Sequence, residues 1–217
     1  MGNEPKRRCG KCYCHRDFTV EEMKKIVKAL RQSEHINSLS LWHPRYSPKI
    51  SVPDKSYETT TKEMNRIMKK FHINTCIRKI HFLAQVYHET DRFKSLIEYT
   101  SRYTPKYDPY RGRGLVHLTH KRTYEKFSKY MGDSRIISNP NIVATNIRYA
   151  FEAGGWYWEN IGHVTATGEN INTVADRDDV LRVSQCINGR VKHPNGLENR
   201  IKYVKFLKKV FKYEKHH

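Results

Sequence analysis

Read for the spacing of its apolar positions, the chain divides into helices separated by proline- and glycine-marked loops. Thr19-Val20-Glu21-Glu22 is a capping box, in which the threonine hydroxyl serves an orphan amide and Glu22 reaches back. Behind it Val20, Met23, Ile26, Val27 and Leu30 recur at helical steps and define one buried face. From about Ser38 to Thr59 the prolines at 44, 48 and 53 remove amide donors and forbid a helix, so a long loop is expected. A second capping box, Thr60 to Glu63, predicts a helix carrying Met64, Ile67, Met68 and Phe71. The run from Thr75 to about Phe93 is the most apolar helix, with Ile77, Ile80, Leu83, Ala84 and Tyr87 on one side.

From Tyr99 to Gly114 two prolines, two glycines and several tyrosines predict an ordered loop with aromatic walls. Later helices are expected over Thr119–Met131, ended by Gly132, and about Asn141–Phe151, ended by Gly154 and Gly155. Two more are expected over Asp176–Ile187, ended by Gly189, and Leu197–Phe211. The predicted class is therefore all-α. Residues 1–58 form a cysteine-rich N-terminal segment with one helix and the proline-bearing loop, and 59–217 the main domain.

Composition modifies this picture in two ways. Only 37% of the residues are apolar, yet 14 Tyr, 8 Phe and 3 Trp are large enough to fill a core. No apolar run approaches the roughly 20 residues of a membrane helix. The basic N-terminus lacks an apolar stretch behind it, so synthesis in the cytoplasm without a signal peptide is expected. A net charge of +19 costs self-repulsion and points to a polyanionic partner: nucleic acid, an anionic lipid surface or an anionic cell wall. Lysines from Lys202 to Lys215, interleaved with Tyr203, Phe206 and Tyr213, would suit a non-enzymatic nucleic-acid binder. A solvated helix face over a buried aromatic stripe accounts for the same pattern, and no nucleic-acid motif accompanies it, so no nucleic-acid partner is expected.

The five cysteines are unevenly placed: Cys9, Cys12 and Cys14 lie together before His15, whereas Cys76 and Cys186 are remote. Thiolates and imidazole are natural zinc ligands, but a complete site made from seven consecutive residues is cramped. A local disulfide or free thiols are the competing readings, and no metal site is assigned.

Glu89 stands near the end of the most apolar helix. A carboxyl at such an edge, beside aromatic groups, loses solvation, which favours the protonated form that a general acid needs. Glu98, nine residues on, is the natural second carboxylate. On one straight helix the two would be separated by about 13.5 Å of rise and half a turn, so the pair works only if the helix stops and the chain folds back. Otherwise Glu89 is a helix-end carboxylate paired with Arg92 or Lys94, and Glu98 a surface acid.

The segments FLAQVYHET (82–90) and YRGRGLVHLTHKRTY (110–124) resemble the two signature stretches of the family 19 glycoside hydrolases, which include chitinases and bacterial and phage lysozymes. INGR (187–190) and GLENRIKY (196–203) are similar to later motifs of that family, in the same order and separation. The resemblance implies a lysozyme-like helical fold with a central cleft and an inverting mechanism without metal or other cofactor. It makes Glu89 the general acid, Glu98 the general base and Thr119 the holder of the attacking water. It also implies sugar contacts for Tyr110, His117 and Asn188 and a place beside the acid for Arg200. His117 stands where glutamine is common, Thr123 where asparagine is usual, and Arg190, Val191 and Lys192 where plant-type members carry an acid. These departures weigh against chitin specificity. With the charge, they favour peptidoglycan glycan strands as substrate, a lysozyme or muramidase activity, over a chitinase acting on neutral GlcNAc polymers. The segment from Cys12 to Glu22 is similar to the entry of lysozyme modules in type VI secretion effectors. It implies a monomeric antibacterial effector or endolysin that reaches a target cell's wall or periplasm by a secretion system or phage lysis, with an immunity protein as a further partner and no membrane insertion.

Overall fold

The Thr19 hydroxyl accepts from the Glu22 amide and the Glu22 carboxylate from the Thr19 amide, so α1 (Val20–Gln32) begins with the complete box. The computed structural model of the protein describes residues 12–100, 106–161, 168–189 and 191–216. At the other end of α1, Arg31 is fully buried and donates to the carbonyls of Ser38 (2.6 Å), Ser40 (2.9 Å) and Arg92 (2.8 Å). One guanidinium thus fastens the long proline-bearing loop to the turn at Arg92. The loop is ordered further by Trp42, a core residue whose indole N–H donates to Thr60 Oγ1 at 2.8 Å.

That bond explains where α2 starts. With its hydroxyl given to Trp42, Thr60 is no cap; Ser56 accepts from the Thr59 amide, and α2 runs over Tyr57–Lys70. The box predicted at 60–63 lies inside the helix, where Glu63 pairs with Arg66 instead.

Helix α3 (Cys76–Glu89) is buried nearly all round, packed by α8, α9 and α10. It stops four residues earlier than predicted. The Thr90 hydroxyl bonds to the Val86 carbonyl at 2.6 Å, and Asp91, Arg92 and Phe93 follow with φ of 47°, 66° and 58°. Three left-handed residues in a row are costly for L side chains and reverse the chain at once.

Helix α4 (Lys121–Met131) ends on Gly132 as expected, and α5 (Arg135–Ser138) and α6 (Ile142–Thr145) are single turns. The next prediction fails: α7 (Ile147–Asn160), capped by Asn146, runs straight through Gly154 and Gly155. These glycines are there for space. A Cβ on Gly154 would sit 2.7 Å from Leu115 Cβ, and one on Gly155 2.1 Å from Phe71 Cδ2. The predicted helix 176–187 is in fact α8 (Ile171–Asp176) and α9 (Val180–Asn188), broken at Asp178, whose φ is 57°. The break is held by His81 of α3, 2.9 Å from the Asp178 carboxylate, and by Lys208 of α10. Helix α10 (Leu197–Phe211) buries Val204, Leu207 and Phe211 of the apolar stripe Leu197, Ile201, Val204, Leu207 and Phe211 that its spacing predicts, with Tyr203 and Arg200 beside them, but leaves Ile201 exposed; α11 (Tyr213–His216) follows.

The predicted all-helical class therefore holds: the described residues contain isolated bridges (Ile97 to Arg113, Arg113 to Leu118) but no strand. One hydrophobic core runs from Cys12 to Phe211, and α1, on the N-terminal side of the 58/59 boundary, shares it. Among the described residues, no helix is long and apolar enough to cross a membrane.

Candidate active site

The early stop of α3 and the reversal behind it satisfy the condition set by the sequence. Glu89 and Glu98 line one groove of about 680 Å³, with His117, Thr119, Asn188 and Arg200 in the same wall set.

Glu89 is the last residue of α3. Its Oε1 accepts from Arg200 Nη2 at 2.5 Å, and the guanidinium, itself 1% exposed, also donates to Gln85 Oε1 and the Asn195 carbonyl. Glu89 Oε2 receives no protein donor among the described residues. The acid pairs with Arg200 from α10 and not with Arg92 or Lys94. Arg92 is drawn away to Glu34, which also accepts from the hydroxyls of Tyr87 and Tyr203.

Glu98 sits beyond the reversal, where its amide donates to the Gly112 carbonyl at 2.8 Å. Its Oε2 accepts from the Gly112 amide (3.1 Å) and its Oε1 from the Tyr107 hydroxyl (2.7 Å). Burial, then the hydrogen bond to Glu98, pushes the Tyr107 phenol up to about 12. Gly112 is sterically required, because a Cβ there would lie 2.7 Å from His117 Cβ and 3.3 Å from Glu98 Cβ. The segment is pinned by buried Arg113, which donates to the Pro109 carbonyl (2.8 Å), Asn141 Oδ1 (2.8 Å) and the Tyr124 hydroxyl (3.0 Å).

His117 is half-buried, with its Nε2 enclosed and without a hydrogen-bond partner. Burial lowers its pKa more than Glu89 and Glu98 raise it, so the ring stays neutral between two acids. Its carbonyl accepts from Thr119 Oγ1 at 2.6 Å, which commits the hydroxyl proton and leaves the oxygen lone pairs available. Asn188, at the end of α9, has Oδ1 on the Asn195 amide at 2.8 Å.

Tyr110 departs from expectation: it is not among the groove-lining residues. Its ring packs on Tyr124 at 5.4 Å, and its amide closes a turn onto the Tyr107 carbonyl at 2.8 Å. That turn brings Tyr107 into the groove, a tyrosine that the sequence did not distinguish from its neighbours. His88 was also passed over. Burial first, then Arg200, pushes its pKa down to about 4, and its Nδ1 has no partner. Gly196, at φ 67°, covers the ring so closely that a Cβ there would fall 2.0 Å from His88 Cε1. Arg190, one of the departures noted above, lies outside the described residues, as does Cys9.

Two carboxyl groups in unlike settings share this groove: one backed by a cation, the other held by two neutral donors. A hydroxyl able to accept from water completes the equipment of acid/base hydrolysis.

No protein-family model matches the chain. A Haemophilus influenzae protein described as a glycosyl hydrolase family 19 domain-containing protein is 31% identical over 98 residues, which is 45% of this chain and 40% of that protein. The acidic endochitinase Q of Nicotiana tabacum is 37% identical over 51 residues, 24% of this chain and 20% of the plant protein. The match thus spans less than half the length of either relative. Among solved structures, chitinase C from Streptomyces griseus superimposes with a TM-score of 0.60 at 19% identity, covering 86% of this chain and 93% of that one. The family GH19 class IV chitinase from Zea mays gives 0.53 at 20% identity, over 69% of this chain and 78% of the maize one.

Proposed function

Because the chain is a homologue of the family 19 glycoside hydrolases, with their lysozyme-like helical fold, we propose that it hydrolyses the glycan strands of bacterial peptidoglycan by inverting acid/base catalysis. The observation that carries this reading is the placement of Glu89 and Glu98 on one groove after the chain reversal at 91–93. Glu89 protonates the departing glycosidic oxygen. Arg200 orients that carboxyl and stabilises the anion it becomes once the proton has left. Glu98, oriented by Tyr107 and Gly112, takes a proton from the attacking water, while Thr119 accepts the water's second hydrogen. Asn188 and His117 face the sugar, and neutral His117 adds no charge beside either acid.

The choice of peptidoglycan rests on charge. Stem-peptide carboxylates and wall phosphates attract a chain of +19, whereas chitin is neutral. The endochitinase relatives favour a chitinase as the second reading. The similarity of the entry segment to effector lysozyme modules supports action in a target cell's wall after secretion or phage lysis, with an immunity protein as partner.

Glu89→Gln should lower the rate of clearing of a purified wall suspension by about 100- to 10,000-fold, the range for loss of a positioned general acid. Clearing at the wild-type rate would remove Glu89 from this role. Mass analysis of fragments from purified sacculi and from chitin oligomers decides the substrate, and release from chitin alone would replace the first reading by the second.

A further inference from the structure

At the opposite end of α3 from Glu89, three cysteines converge. The sulfurs of Cys12, Cys14 and Cys76 all lie within 4.8 Å of one another, with Cys12 and Cys76 buried and Cys14 half-buried. The objection that the N-terminal cluster is too cramped for a complete site therefore falls, since a third ligand arrives from 62 residues away.

We propose that Cys12, Cys14 and Cys76 bind a structural zinc ion that clamps the N-terminal segment onto the start of α3. Thiolates select soft or borderline metals, and zinc takes sulfur at about 2.3 Å in tetrahedral geometry. Such bonds space the sulfurs by about 3.8 Å, inside the observed spread. The Cys14 and Cys76 sulfurs, 2.7 Å apart, open by roughly 1 Å to admit the ion. A disulfide would use two of the three sulfurs and strand the third in a buried place.

The surroundings hold the three sulfurs together. Cys76 is the first residue of α3, where amide dipoles favour an anion, and its N–H donates to Cys14 Sγ at 2.9 Å. One turn further, buried Lys79 donates to the carbonyls of Tyr13 (2.8 Å), between the two cysteines, and Arg16 (2.5 Å), just beyond them. Those two bonds hold the ligand loop against the first turn of α3. Three cysteine sulfurs, a helix start and a buried lysine meet where the N-terminal segment packs onto α3. A further donor or a water completes the tetrahedron.

The ion plays no part in the groove, which lies about 20 Å away along α3 at 1.5 Å per residue. Its test is therefore independent of any glycan assay. The full chain, purified under reducing conditions without chelator and reconstituted with zinc, should contain close to one zinc per molecule by elemental analysis. Zinc-edge absorption spectroscopy on the wild type should count at least three sulfur neighbours. Stripping with a strong chelator should lower the melting temperature, and zinc should restore it. Cys76→Ser should lose the metal while Cys186→Ser, a buried cysteine elsewhere, keeps it. The proposal is overturned by less than a tenth of a zinc per chain after reconstitution, by fewer than three sulfur neighbours, or by a mass two hydrogens low that maps to a Cys14–Cys76 disulfide.

Discussion

Tyr107→Phe isolates one hydrogen bond in the proposed catalytic pair. The hydroxyl donates to Glu98 Oε1 at 2.7 Å, and among the described residues the Glu98 side chain has one other donor, the Gly112 amide at 3.1 Å on Oε2. The ring itself is held separately by an edge contact with His120 at 5.3 Å, which phenylalanine retains. A hydrogen bond to a charged group contributes about 1.5–3 kcal/mol when buried. Tyr107 and Glu98 are both half-buried, so about 1–2 kcal/mol is the appropriate share. If that interaction orients the base as its water loses a proton, kcat falls by a factor of about 5–30. KM should stay near the wild-type value, since the ring remains and the sugar contacts lie elsewhere. Initial rates on a defined soluble glycan separate the two constants, and thermal unfolding checks that the fold is intact. A kcat within twofold of wild type, with Glu98→Ala inactive, would show that Gly112 alone positions the base. A rise confined to KM would make Tyr107 a sugar contact instead.

Two further outcomes follow from groups around the groove. His88, held neutral with a pKa of about 4 against an ordinary value near 6.5, takes its proton more readily in the unfolded chain. Its contribution is undiminished above pH 6.5 and is lost as pH falls towards 4, to a total of about 2–3 kcal/mol; urea midpoints between pH 7 and 4 should drop accordingly, and His88→Gln should flatten that slope. Gly155→Ala removes a helix-interior glycine, normally a gain of roughly 0.5–1 kcal/mol, yet the new Cβ would meet Phe71 Cδ2 at 2.1 Å. A net loss of about 1–3 kcal/mol is expected by denaturant unfolding, with partial recovery in Phe71→Leu; a more stable variant would refute the packing argument.

What the sequence disclosed were the features that neighbouring residues settle among themselves. The Thr19–Glu22 box and the stop at Gly132 need no distant partner, and both formed where predicted, while the stripe of α10 formed in part, with Ile201 left exposed. The acid pair was legible in a weaker sense. Residue types and motifs named Glu89 and Glu98, while their meeting depended on three left-handed residues that no composition rule requires. Features decided by remote partners were misread. Thr60 had the grammar of a cap but spends its hydroxyl on Trp42, 18 positions earlier. Gly154 and Gly155 read as a stop because local propensity says so, but their lack of a side chain answers Leu115 and Phe71. Tyr107 displaced Tyr110 through the sense of one tight turn, and the cysteine pattern was incomplete until Cys76 came in from another helix.

Arg31 carries a practical consequence. A guanidinium with no exposed surface ties together the carbonyls of Ser38, Ser40 and Arg92. Trimming the protein to begin after the proline-bearing loop would delete two of those acceptors with their donor and leave the third, on Arg92 in the bend that aims Glu98, without the Arg31 guanidinium. Excision at that point would loosen the bend on which the proposed acid pair depends, even though every residue proposed to touch the sugar would survive the cut.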